Sequence, residues 1–185
     1  RVRSNTVVAD PMCGSGTFLI ESAYKALNVA PGLRRNFAAQ KWDQIPEQIW
    51  RDCRSEAMDL IDRQGTFAGY GFDVDDMAVL LTRDNAKKAG VGSKLTVKQQ
   101  DISKFKQIEN SVTFCNPPYG ERMLELKEAE ELYKRLGDRL SPSRENPCYI
   151  ISPHEDFEMF FGKKADKKRK LYNGMIKCCL YMYFK

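Results

Sequence analysis

Short apolar runs alternate along the chain with longer stretches in which apolar residues recur every third or fourth position. Val7 to Ala9 is the first short run. It ends at Asp10 and is followed by the glycine-bearing turn Pro11-Met12-Cys13-Gly14-Ser15-Gly16, beyond which Ile20, Ala23, Tyr24 and Leu27 fall at helical spacing. The pattern is strand, tight turn, helix. Pro31 and Gly32 break that helix, and a second amphipathic segment opens with Pro46 in its first turn. It carries Ile49, Trp50, Cys53, Leu60 and Ile61 on one face and closes at Gly65, so residues 31–65 read as a helical insertion in which Trp42 and Trp50 act as packing anchors.

The alternation then resumes. Residues 66–72 form a strand ending at Asp73, and residues 75–90 form a helix with Asp75 and Asp76 in its first turn and Gly90 as its stop. Residues 95–100 form a strand ending at Asp101, and residues 111–115 one ending at Asn116. Strong helix formers fill residues 127–140, and residues 148–152 are the fifth strand. Near the end, Asn173-Gly174 separates two β-prone runs, which predicts a hairpin. Alternating strands and helices predict a Rossmann-like, doubly wound α/β fold. Its seven-stranded sheet is mostly parallel, finishes in an antiparallel hairpin, and makes residues 1–185 a single domain.

Composition narrows the class. At 185 residues and 42% hydrophobic content the chain can bury a full core. A formal charge of +5 permits a polyanionic partner without requiring one, and the lysine-rich run from Lys163 to Lys170 suits either a solvated face or phosphate contacts. The six cysteines show neither a disulfide framework nor metal-binding spacing, and no apolar stretch approaches the roughly 20 residues that span a bilayer. The expectation is a cytoplasmic protein with free thiols, no metal and no membrane contact.

The chemistry falls at the strand ends. In open α/β sheets, ligands bind outside the carboxyl ends of the strands, and here those ends carry Asp10, Asp73, Asp101 and Asn116 in succession. Gly14 and Gly16 let backbone approach a ligand closely, while Ser15 and Thr17 add polar groups. Leu19 stands where a dinucleotide fingerprint needs its third glycine, so an amino-acid-like ligand fits the turn better than a pyrophosphate. Asp73 is placed to accept hydrogen bonds from a ribose diol, and Asp101 to meet an adenine amino group with Ile102 against the ring. Asp10 and Asp101 are equally suited to capping a helix. The lone histidine, His154, follows the fifth strand and reads as a helix-start or packing residue.

Asn116-Pro117-Pro118-Tyr119 is the most specific signal. An exocyclic base amine is a poor nucleophile because its lone pair is delocalised into the ring, so a site must polarise it. The Asn116 side-chain oxygen and the Pro117 carbonyl can accept the two amino hydrogens, and the Pro117-Pro118 pair fixes the backbone without offering competing donors. Tyr119 presents a flat face on which an extruded base can stack, a role carried by the ring and not by the hydroxyl.

With DPMCGSGT, GFDVD, QQDI and NPPYGER in that order, the chain resembles the class I methyltransferases. Within them it is similar to the ribosomal RNA guanine-N2 methyltransferases that carry a THUMP domain, with APGLRR and KADKKRKLYNGMIK adding to the likeness. The resemblance implies S-adenosyl-L-methionine as methyl donor, with Asp10, Pro11, Cys13, Gly14, Gly16 and Thr17 around its methionine part, Asp73 on the ribose and Asp101 on the adenine. Val74, Ile102 and Asn116 join the donor site, and Asn116, Pro117, Pro118 and Tyr119 form the catalytic group. It implies as substrate the exocyclic amine of a guanine in large-subunit ribosomal RNA. The sequence begins at the first core strand, without the THUMP-type RNA-binding region, and is expected to be a catalytic domain of a longer protein.

Two other functions compete. A DNA adenine-N6 methyltransferase shares the NPPY signal, but it needs a target-recognition segment longer than any found outside this core. A non-enzymatic nucleic-acid-binding domain predicts damage to the ligand turn or to NPPY, and both are intact.

Overall fold

The computed structural model describes residues 2–120 and 123–185, so Arg1 and the last two residues of NPPYGER, Glu121 and Arg122, lie outside the described residues. The elements follow in the order β1 (Val7–Asp10), α1 (Thr17–Leu27), α2 (Glu47–Asp59), β2 (Ala68–Asp73), α3 (Asp76–Ala89), β3 (Leu95–Gln99), β4 (Ser111–Cys115), α4 (Met123–Arg139), β5 (Cys148–Ser152), α5 (Phe157–Phe161), β6 (Lys167–Asn173) and β7 (Ile176–Tyr183). The sheet has the order β3-β2-β1-β4-β5-β7-β6. Strands β1 to β5 are parallel, and β7 runs antiparallel to both β5 and β6. This is the expected doubly wound sheet with a terminal hairpin. The order reverses between β1 and β4, which sets the ligand crevice at their carboxyl ends.

Strand periodicity explains the two layers. Cys148, Ile150 and Ser152 of β5 are buried on one face, together with Tyr181 and Tyr183 of β7, against Ala129, Tyr133 and Leu136 of α4 and Phe157 and Phe161 of α5. Val8 and Val97 point the other way, onto Leu19 and Ala23 of α1 and Val79 of α3. Helix α1 has its apolar stripe because Leu19, Ala23, Ala26 and Leu27 recur at three- and four-residue spacing. Helix α3 starts where the Asp75 carboxylate accepts the Met77 N–H at 2.9 Å and stops at Gly90, as the sequence predicts. Among the described residues no helix is long and apolar enough to cross a membrane.

Three expectations need correction. Pro46 is the N-cap of α2 and lies before its first turn, and the helix ends at Asp59, well short of Gly65. Helix α2 buries no residue: Ile49 is 50% exposed, Cys53 is exposed, and Leu60 at its C-cap is 59% exposed. Trp42 is exposed too; only Trp50 packs, stacked on Phe37 with ring centroids 5.8 Å apart. The hairpin exists, but its register is one residue further on. Asn173 pairs with Ile176, so the two-residue turn is Gly174-Met175, with Gly174 supplying the positive φ of 61° at the first turn position.

Candidate active site

The turn after β1 is tied from three sides. The Gly14 N–H donates to Asp73 Oδ2 at 2.9 Å, the Cys13 N–H donates to the Phe72 carbonyl at 2.8 Å, and the Thr82 hydroxyl of α3 donates to the Gly14 carbonyl at 2.7 Å. Gly16 has a φ of 81°, and a Cβ there would sit 2.6 Å from the Thr82 methyl. Its lack of a side chain therefore lets α3 close on the turn. A Cβ on Gly14 would meet nothing within 4 Å, so the room above this backbone is left to a ligand.

Asp10 does not cap α1, whose N-cap is Gly16. It is 2% exposed, and Oδ1 accepts the Met12 N–H at 3.2 Å. Burial, with the Asp73 charge adding to it, pushes its carboxyl up to about 7. An acid raised above its ordinary 3.8 stabilises the folded state below that pH, and the contribution is lost as pH rises through about 7. Asp10→Asn should therefore gain melting temperature relative to wild type as pH rises from about 4 to about 8. A constant difference across that range, measured by thermal unfolding without ligand, would contradict the shift. Cys13 is pushed up to about 11 by burial, which keeps it a neutral thiol at neutral pH.

Asp73 uses both oxygens, Oδ2 on Gly14 and Oδ1 on the Asp75 N–H at 3.1 Å. Asp101 caps the short turn after β3 by accepting the Ser103 N–H at 2.8 Å, and the Ser103 hydroxyl together with that N–H holds its carboxyl below the ordinary range. The cap and the site coexist, because Asp101 and Ile102 also line the cavity.

After β4 the chain builds a relay. Asn173 Nδ2 donates to the Tyr119 hydroxyl at 3.0 Å, and that hydroxyl donates to Asn116 Oδ1 at 2.7 Å. An amide NH2 can only donate, so the tyrosine accepts from Asn173 and spends its own proton on Asn116. The Asn116 oxygen keeps a second lone pair for a substrate donor. Tyr133 Oη donates to the Pro118 carbonyl at 2.9 Å and braces the turn from α4. Burial raises the Tyr119 hydroxyl further above its ordinary value, so it remains protonated and keeps the direction of the relay.

Asp73, Asp101 and the Asn116–Tyr119 turn border one cavity of about 360 Å³. Pro11, Gly14, Asp73, Val74, Asp101 and Ile102 line one side, and Asn116, Pro117, Pro118 and Tyr119 the other. A second hollow of about 390 Å³ is lined by Asp10, Cys13, Gly14, Thr17, Asn116 and Asn173, so Gly14 and Asn116 border both. Gly16 lines neither, which makes its part that of shaping the turn. Gln100 and Leu132 also line these spaces without having been singled out in the sequence, and Asn173 does so without having been read as a site residue. Asn173 reads there as a turn residue, and only strand pairing brings it to Tyr119.

His154 is where the sequence puts it. Its Nδ1 accepts the Asp156 N–H at 3.1 Å just before α5, its ring stands edge-on to Phe160, and it lines neither cavity. Lys168 pairs with Glu158 at 2.7 Å, while Lys167, Arg169 and Lys170 are exposed along β6, the last strand of the sheet. Among the described residues no group of three or more His, Cys, Asp or Glu side chains could hold a metal ion.

Several known proteins are similar to this chain. YpsC of Bacillus subtilis, which carries the name of an RNA methyltransferase, is 38% identical over 95% of the chain. The ribosomal RNA large subunit methyltransferase K/L of Aliivibrio salmonicida is 37% identical over 91% of it. The crystal structure of SMU.472 in complex with SAH superimposes with a TM-score of 0.92 and 39% identity over 98% of the chain. The chain spans 46% of YpsC, 25% of the K/L enzyme and 48% of SMU.472. The family description "UPF0020: RMKL-like, methyltransferase domain" matches residues 1–182, and the chain therefore belongs to this methyltransferase-domain family.

Proposed function

We propose that this domain transfers a methyl group from S-adenosyl-L-methionine to the exocyclic amine of a base in RNA, namely guanine N2 of large-subunit ribosomal RNA. The observation that carries the reading is a single cavity with Asp73 and Asp101 on one side and Asn116 to Tyr119 on the other. Asp10, Asp73 and Asp101 border the paired cavities with acceptor oxygens for the hydroxyl and amino groups of a ligand. The open space above Gly14 leaves room for that ligand against the backbone. The donor supplies an electrophilic methyl on a sulfonium sulfur.

The protein's own groups do the rest. Asp73 meets the ribose diol, Asp101 and Ile102 the adenine, and Asp10 and Thr17 the amino-acid end. The Asn116 oxygen and the Pro117 carbonyl accept the two hydrogens of the target amine, which frees its lone pair for attack and holds the proton that is later lost to water. Tyr119 contributes its ring face as well as the hydroxyl that orients Asn116.

RNA is favoured by the names of the K/L relative and of YpsC, and the basic β6 suits a polyanion, while guanine rests on the resemblance of the sequence motifs. Capture of the RNA falls to a THUMP-type region of the full-length protein, which would act in the cytoplasm. Incubation of the full-length protein with labelled donor and either RNA or duplex DNA tests this reading. Label on guanine in RNA is the expected result, and label on DNA adenine would overturn it.

A further inference from the structure

The β6–β7 hairpin reaches past the rest of the sheet. Ser152, the last residue of β5, pairs with Cys179, whereas β6 and β7 stay paired as far as Asn173 and Ile176. Three residues of ribbon, about 10 Å at strand rise, therefore stand beyond the carboxyl edge where the candidate site lies. The site and this ribbon are joined, because Asn173 donates to the Tyr119 hydroxyl and Leu171, Tyr172 and Asn173 line the second hollow.

The tip is apolar. Tyr172 is 71%, Met175 99% and Ile176 38% exposed, and Met175 occupies the second position of a tight turn. Single exposed apolar residues are ordinary, but here three share the end of a projecting ribbon whose first strand, β6, also carries Lys167, Arg169 and Lys170 toward solvent. Apolar tip and cationic shaft together match a stacked, phosphate-bearing strand. A base amine inside a helical stack cannot reach Asn116 unless the nucleotide is turned out, and that leaves a gap which costs stacking energy. Apolar side chains inserted at base steps are a known means of holding such a stack open.

We infer that the tip of the β6–β7 hairpin, with Met175 foremost, enters the stack of a structured RNA beside the target nucleotide and fills the place of the base turned into the Asn116–Tyr119 site. The inference rests on the RNA base-amine reading above. Lys167, Arg169 and Lys170 hold the phosphates on either side of the inserted tip, and Asn173 links its position to Tyr119.

The test uses the full-length protein, an RNA stem-loop with a paired guanine, and an unpaired oligonucleotide of the same sequence. In a second stem-loop a 2-aminopurine stands next to the guanine, so that unstacking is read as fluorescence without any methyl transfer. Met175→Ala should lower both the fluorescence rise and the methylation rate on the stem-loop by about tenfold, equivalent to part of the unstacking cost of one step. Met175→Leu should restore both. Rate on the unpaired oligonucleotide, donor affinity and the salt dependence of binding should stay at wild-type levels, whereas neutralising Lys167, Arg169 and Lys170 should flatten the salt dependence. Equal losses of Met175→Ala on paired and unpaired RNA, or wild-type fluorescence on the stem-loop, would overturn the inference. Wild-type protein that raises the fluorescence yet methylates neither RNA would instead count against the proposed function and leave the tip's role supported.

Discussion

Asn116→Ala is expected to lower the single-turnover rate at saturating donor by at least about a hundredfold, with a far smaller effect on donor affinity. The amine becomes more acidic as the methyl group arrives, so an acceptor on its hydrogen gains strength toward the transition state and lowers the barrier. The relay adds two graded variants. Tyr119→Phe keeps the ring but removes the 2.7 Å hydrogen bond that turns the Asn116 oxygen toward its task. It should lose about tenfold in turnover, the worth of one hydrogen bond. The hydroxyl thus counts for more than the stacking role read from the sequence. Asn173→Ala should lose less, and should cost nothing further in the Tyr119→Phe background if it acts through that hydroxyl. His154→Ala serves as the control and should turn over normally. A dead His154→Ala beside an active Asn116→Ala would replace amine polarisation with general-base catalysis by the histidine.

The second large effect is expected at Asp73. Each carboxylate oxygen holds a backbone N–H, Gly14 on one side and Asp75 on the other, and the same group faces the cavity. Asp73→Ala removes the acceptor for a ribose diol and also releases the glycine turn from β2. Charge-assisted hydrogen bonds contribute about 1.5–3 kcal/mol each, so donor affinity should fall on the order of a hundredfold or more by calorimetry. Asp73→Asn keeps an acceptor for one of the two N–H groups and should fall in between. Unchanged affinity in Asp73→Ala would take the residue out of the donor site.

The strand ends were legible because burial, tight turns and polar residues coincide there. β4 and β5 have the bounds that alternation predicts, and Asp73, Asp101 and Asn116 stand at one edge because parallel strands put all their carboxyl ends together. Helix α2 was legible as a helix but not as an exposed one, since periodicity shows a face and not what covers it. Asn173 was hidden for a similar reason: its role depends on pairing across β7, a long-range register that local turn chemistry misplaced by one residue. Gly16 kept the expected backbone freedom, but its close neighbour is Thr82 of α3.

The central claim, transfer to the exocyclic amine of an RNA base, is tested most directly by nucleoside mass spectrometry on ribosomal RNA from a strain lacking the full-length gene. Loss of N2-methylguanosine from the large-subunit RNA, restored by the wild-type gene and not by Asn116→Ala, is the predicted result. An unchanged N2-methylguanosine content together with loss of N6-methyladenine from DNA would contradict it.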